Sequence, residues 1–243
     1  SGNIIQWLRI FEDYSFDDAV KRTAELAGTD LNSLQSADSV VFYKSLRKTQ
    51  HKEEVKREIL PASYYEQFSD KIPEEWVEEG IPESTLKKYE IRIDERSNRI
   101  VYPVYDRDLN LIGTKGRTRF KNFKQLKIMK YMNYVALHTV DFFTGYKQAA
   151  EAIKDSKQII IFEGIKSVMK ADSWGYHNCV SSETSKINEE QIRLLIRLGV
   201  KEVGIAFDED VNMNKIIKNT KMLRRFTNVY VVQNNGVLEE KES

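Results

Sequence analysis

The second half of the chain alternates between two patterns of apolar residues. "QIIIF" (158–162), "NCVSS" (178–182), "KEVGIAF" (201–207) and "NVYVVQ" (228–233) are short, nearly continuous apolar runs. Runs of that length, flanked by polar residues, predict strands buried on both faces. Between them, "IKSVMKADSWG", "NEEQIRLLIRLG" and "NMNKIIKNTKMLRRF" repeat apolar residues every three or four positions, the spacing of amphipathic helices. Gly175 closes the first of these helices, and Asn188 with Gln191 is placed to cap the second. Strand and helix in strict alternation predict a mostly parallel sheet flanked by helices.

The first half is patterned differently. "IIQWLRIFEDYSFDDAVKRTAELAG" has helical spacing with a break at Tyr14-Ser15 and an end at Gly28, and "SADSVVFYKSLRKTQHKEEVKREIL" reads as a helix with a polar connection. "IPEEWVEEGIPESTLKKYEI" contains two Ile-Pro steps, each followed by acidic residues, which predicts two short helices. From Asn98 the period becomes two, and "RIVYPVYDRDLNLIGTKGRTRF", broken at Asp108–Asn110, predicts a hairpin of exposed strands. "GYKQAAEAIKDSK" then predicts a connecting helix. The expected fold class is α/β in three parts: a helical segment at 1–35, an α+β lobe at 36–155 and the alternating lobe at 156–243.

Candidate chemistry sits at two strand ends. Glu163 and Gly164 directly follow the first apolar strand, and Asp208, Glu209 and Asp210 directly follow the third. Taken singly, a strand-end acid is an ordinary solvated acid. In a parallel sheet, however, ligands gather at the carboxyl ends of the strands, where Glu163, Asp208 and Asp210 would all lie. Acids crowded together repel unless a cation offsets them, and an all-oxygen donor set selects hard ions such as Mg²⁺ or Mn²⁺. Glu183, after the second strand in "SSET", is a candidate to support that cluster from behind.

Charge adds a second feature. The total is nearly balanced, with 38 basic and 37 acidic residues, yet no Asp or Glu occurs from Leu111 to Val140. That stretch holds Lys115, Arg117, Arg119, Lys121, Lys124, Lys127 and Lys130, interleaved with Phe120, Phe123, Tyr131 and Tyr134. A run of one sign repels itself unless something negative lies beside it, and rings in a basic groove suit stacking on single-stranded bases.

Composition narrows the rest. A length of 243 residues can bury a sizeable core, and no apolar run approaches the roughly 18 residues of a membrane span. The opening "SGNIIQWLRIF" lacks a basic stretch before a cleavable apolar core, so no secretory signal is expected. Cys179 is the single cysteine, placed inside an apolar strand where it reads as packing. With His51, His138 and His177 scattered, no zinc site is expected, and a reducing compartment is implied.

"IIIFEGIKSVMKA", "CVSSETSKINEEQIRLLI" and "EVGIAFDEDVN" together resemble the Toprim fold, whose pattern is strand-Glu-Gly, helix, strand, helix, strand-Asp-x-Asp. The flanking sequence resembles the catalytic core of bacterial-type, DnaG-like DNA primases and their phage relatives. "GNIIQWLRIFEDYSFDDAVKRTAELAG" is similar to the segment ending that family's zinc-binding module, "IPEEWVEEGIPESTLKKYEI" to the opening of its core, and "RIVYPVYDRDLNLIGTKGR" with "KYMN" to the motifs preceding Toprim. The resemblance implies a basic primase subdomain at 36–155 and a Toprim catalytic subdomain at 156–243. It further implies Glu163, Asp208 and Asp210 as catalytic and metal-binding acids for Mg²⁺ or Mn²⁺. Arg117, Lys130 and Asn133, with Lys115 and Lys124, would meet nucleotide and nucleic acid. Ser167 and Thr144 depart from the family's pattern, standing where it has an acid and a base.

The implied activity is synthesis of short RNA primers on a single-stranded DNA template from ribonucleoside triphosphates. The implied setting is the bacterial or host cytoplasm, with a replicative helicase as partner of the full-length protein and no membrane. The same acids would also serve a Toprim nuclease or RNA-maturation enzyme, and the basic stretch alone would serve a non-catalytic nucleic-acid-binding module.

Overall fold

The computed structural model describes residues 4–5, 8, 12, 14–26, 58–137, 140–208, 211, 213–221 and 223–232. The chain divides into two compact units, residues 1–56 and 57–243. In the first, helix α1 (Phe16–Leu26) starts where Ser15 Oγ accepts a hydrogen bond from the Asp18 amide at 3.2 Å, and it buries Ala19 completely. The helix expected within "SADSVVFYKSLRKTQHKEEVKREIL" lies almost wholly outside the described residues.

The second unit opens with three short helices, α2 (Ala62–Glu66), α3 (Glu74–Glu78) and α4 (Glu83–Lys88), each capped by a proline: Pro61, Pro73 and Pro82. A fixed φ near −65° and the missing amide suit proline to a helix start. Four antiparallel strands follow in the order β1 (Arg92–Asp94), β2 (Arg99–Tyr105), β3 (Leu111–Thr118) and β4 (Tyr131–Asn133). The hairpin expected from the alternation is therefore present, but its strands are not exposed. Six of the seven β2 residues are buried, because helices cover one face of this sheet and the second sheet's core meets the other.

Helix α5 (Tyr146–Ser156) leads into β5 (Gln158–Phe162), α6 (Ile165–Ser173), β6 (Cys179–Ser181), α7 (Glu189–Arg197), β7 (Glu202–Ala206), α8 (Met213–Thr220), a 3₁₀ turn (Leu223–Arg225) and β8 (Asn228–Val231). The four strands are parallel in the order β6-β5-β7-β8. Ile159 and Ile161 face one core with Ile153 of α5 and Ile192 and Leu195 of α7. Phe162 and Cys179 face another core, shared with Ile165, Val168 and Met169 of α6, Trp76 and Leu86 of the short helices, and Ile100 and Tyr102 of β2. That second core belongs to both sheets at once.

Two further ties join the sheets. Thr144 pairs with Ser181 through backbone hydrogen bonds of 3.0 and 2.9 Å, docking the connecting segment on the edge strand β6. Asn188 and Gln191 form the expected capping box at α7 and also reach outward. Asn188 Nδ2 donates to the Val140 carbonyl at 2.8 Å, and Gln191 Nε2 to that of Phe142 at 3.0 Å.

Candidate functional site

The strand order fixes where the strand-end acids stand. β5 leads through α6 to β6 on one side, while β7 leads through α8 to β8 on the other, so the crevice between β5 and β7 is a topological switch point. Phe162 and Ala206 are register partners in these strands. Glu163 follows the one immediately, and Asp208 stands two residues beyond the other, its carbonyl accepting from the Val211 amide at 3.0 Å in a turn. Both are partly exposed. A Cβ built on Gly164 meets nothing within 4 Å, so the chain leaves open space beside Glu163. Oxygen donors beside open space at a switch point fit a hard divalent ion. Asp210, the third expected acid, lies outside the described residues, and among the described residues no three metal-ligating side chains are gathered at one point.

The antiparallel sheet brings its basic residues to the same region. Directly paired residues share a face of a sheet, and faces alternate along each strand. Lys115 pairs with Tyr102 and Asn133, and Arg117 with Ile100 and Tyr131, so all six share one face. It is the face whose Ile100 and Tyr102 enter the core common to both sheets. Lys115 Nζ lies 2.9 Å from Glu183 Oε2, just past β6, with both side chains nearly buried. Burial around the Tyr131 hydroxyl raises its pKa, with Arg117 opposing the rise and the Glu183 and Glu163 carboxylates adding to it. The Tyr131 hydroxyl is thus within electrostatic reach of Arg117, Glu183 and Glu163 across the two sheets.

The rest of the basic stretch is divided in role. Lys124 lies in the exposed turn 121–127, and Lys130 just before β4 places its ammonium 5.9 Å from the ring centres of both Phe123 and Tyr131. Arg117 stands 5.9 Å from the Tyr131 ring. Phe120, Leu126, Met129 and Tyr131 are exposed around these cations. Two residues of the stretch serve the fold. Arg119 is bound by Glu75 at 2.5 Å, and Tyr134, expected as a stacking ring, packs edge-on against Phe68 and donates to Asp94 at 2.6 Å. The Lys115–Glu183 pair was not foreseen from the sequence, because its partners stand 68 positions apart and nothing local to either announces the other.

Comparison with known proteins agrees with this architecture. Residues 157–232 match the Toprim domain family. The SPbeta prophage-derived uncharacterized protein YorJ of Bacillus subtilis is 31% identical over 196 residues, covering 69% of this chain and 52% of that protein. A DNA primase of Staphylococcus aureus is 22% identical over 287 residues, covering 96% of this chain and 45% of the primase. The chain spans about half the length of these curated relatives. Among solved structures, the zinc-binding and RNA polymerase domains of the Aquifex aeolicus primase superpose with a TM-score of 0.60 at 20% identity, covering 100% of this chain and 66% of that one. The chain carries a Toprim domain on the fold of the DnaG-like primase catalytic core.

Proposed function

We propose that the chain is the catalytic core of a DNA primase, joining ribonucleotides on a single-stranded DNA template by metal-dependent nucleotidyl transfer. The observation that carries this reading is that Glu163 and Asp208 stand at the switch-point ends of β5 and β7, with β5 next to β6, whose following Glu183 pairs with Lys115 of the basic sheet face. In the reaction a 3′-hydroxyl oxygen bonds to the α-phosphorus of a ribonucleoside triphosphate, the bond to the β-phosphate oxygen breaks, pyrophosphate leaves and the hydroxyl proton passes to water. Glu163 and Asp208, with Asp210, are the residues that would hold Mg²⁺ or Mn²⁺. A metal ion held there would lower the hydroxyl's pKa and offset the triphosphate's charge. Lys115 and Arg117 hold phosphates, and Asn133 lines the same face. Lys124, Lys130 and the exposed rings around them take the template strand, whose backbone they neutralise and whose bases they stack.

By the same reading, a zinc-binding module and a helicase-binding region belong to the complete protein, which works in the cytoplasm of a bacterium or of a phage's host. Among the described residues no helix is long and apolar enough to cross a membrane. The test is incorporation of labelled ribonucleotides on one single-stranded DNA template in Mn²⁺, with and without a pre-annealed RNA primer, beside a cleavage assay on the same nucleic acids. Extension that exceeds unprimed initiation, with little sequence preference, is expected. Cleavage without incorporation would replace this reading with a nuclease. Metal-indifferent DNA binding with neither activity would replace it with a binding module.

A further inference from the structure

Glu183 carries three costs in one residue. Its φ of +66° lies in the left-handed region, where a side chain other than glycine is strained. Its side chain is only 13% exposed, which penalises a charge, and its Oε1 is buried without a hydrogen-bond partner. The turn is nevertheless held firmly. Ser181 Oγ accepts from the Glu183 amide at 3.0 Å while donating to the Glu163 carbonyl at 2.8 Å, and Ser182 Oγ donates to the Thr184 carbonyl at 2.7 Å. Ser181 thereby couples the backbone of Glu183 to that of the strand-end acid.

What this arrangement achieves is the position of an ammonium. Oε2 of Glu183 lies 2.9 Å from Lys115 Nζ, and the same Nζ stands 5.8 Å from the centre of the Phe142 ring. An ammonium has three donors, and an ion pair with a single carboxylate oxygen leaves donors for a phosphate. Lys115 is 12% exposed, on the face that also carries Arg117 and Tyr131. A lysine otherwise carries much side-chain freedom, which a contact with a phosphate would have to remove. Held by Glu183, that freedom is removed before the phosphate arrives.

We propose that Glu183 is a positioning residue that presets Lys115 as a contact for the triphosphate of the incoming nucleotide. This rests on the nucleotidyl-transfer reading above. It differs from a plain structural bridge between the sheets in one respect: the cation must be on β3, not merely somewhere in the pair.

The experiment measures triphosphate KM, kcat and melting temperature in primer extension for the unaltered chain, Glu183→Gly, Lys115→Met, the double variant Lys115→Met/Glu183→Gly, and the swap Lys115→Glu/Glu183→Lys. Glycine relieves the left-handed strain, so Glu183→Gly guards against mere loss of fold. The expected result is that Glu183→Gly and Lys115→Met each raise KM about tenfold, the scale of one charge-assisted hydrogen bond, with kcat within about threefold. The double variant should be no worse than either single, because both remove one contact. The swap should restore the melting temperature without restoring KM. A KM for Glu183→Gly within about twofold of the unaltered chain, additive single effects, or a swap that restores KM together with melting would each overturn the proposal. If the unaltered chain incorporates no nucleotide and binds no Mg²⁺·ATP, the reading beneath it falls and the proposal with it.

Discussion

Burial pushes the Cys179 thiol up to about 12, with the Asp172 carboxylate adding to the rise. Burial and the hydrogen bond to Asp94 push the Tyr134 phenol up to about 12 as well. Both groups are therefore neutral in the fold at pH values where the unfolded chain would ionise them. Raised folded values mean that their stabilisation is fully present below the ordinary values of 9.0 and 10.0 and is lost as the pH climbs towards 12. Stability measured by urea unfolding should fall from pH 9 upward, by up to about 1.4 kcal/mol for each unit crossed by the buried Cys179 and by less for the half-buried Tyr134, whose phenol water screens. Cys179→Ala should flatten the start of that decline, and a thiol reagent should label Cys179 only on unfolding. Rapid labelling of the native chain would contradict the burial. Cys179 was legible as packing because it sits in an apolar run. Tyr134 was not legible as a framework residue, because its partners Phe68, Asp94 and Ser97 come from distant segments.

Strand β3 must pass under that tyrosine. A Cβ built on Gly116 would lie 2.8 Å from Tyr134 Cε2 and 3.3 Å from Arg99 Cδ. Tyr134 cannot easily withdraw while it donates to Asp94, so Gly116→Ala should destabilise the chain by about 1–3 kcal/mol in thermal or denaturant unfolding. An unchanged midpoint would show that the ring yields. The segment after β3 makes a separate prediction. If Lys124 and Lys130 contact phosphates, affinity for single-stranded DNA falls with log salt by about 0.7 per phosphate neutralised, and Lys124→Glu with Lys130→Glu flattens the slope. Arg119→Ala should leave the slope nearly unchanged, since Glu75 already holds that guanidinium. A salt-independent affinity in the unaltered chain would reduce the basic stretch to a solvated face. Runs and periods made β5, β6, β7, the capping box and the β2–β3 hairpin legible. They did not reveal that β2 is covered on both sides, because a strand's own alternation does not show what packs against its second face.

Across residues 57–243 the two sheets share one core, through Trp76, Ile100, Tyr102, Phe162 and Cys179. Lys88 of α4 also contacts the buried Asp172 of α6 at 2.7 and 2.9 Å. Because neither sheet keeps that core alone, the amides of β2 and β5 should exchange with a common opening free energy, and two separate values would contradict the shared core. The positions of Glu163 and Asp208 at strand ends were legible from the apolar runs of β5 and β7. Their link to the basic face was implied by resemblance alone, since only the folded sheets bring Lys115 to Glu183 and Tyr131 within electrostatic reach of Glu163.

The proposed action of these acids together with the basic face is the centre of the account, and one comparison tests it: Mn²⁺-dependent extension of a pre-annealed primer by the unaltered chain, Glu163→Gln and Asp208→Asn, with melting temperatures recorded alongside. Both substitutions keep the side-chain shape and remove one negative charge from the proposed site. The melting temperature should therefore stay the same or rise slightly, while incorporation falls by at least about a hundredfold, the scale of losing a ligand that fixes a catalytic metal. Incorporation that persists in either variant with the fold intact would contradict the assignment of these strand ends as the site.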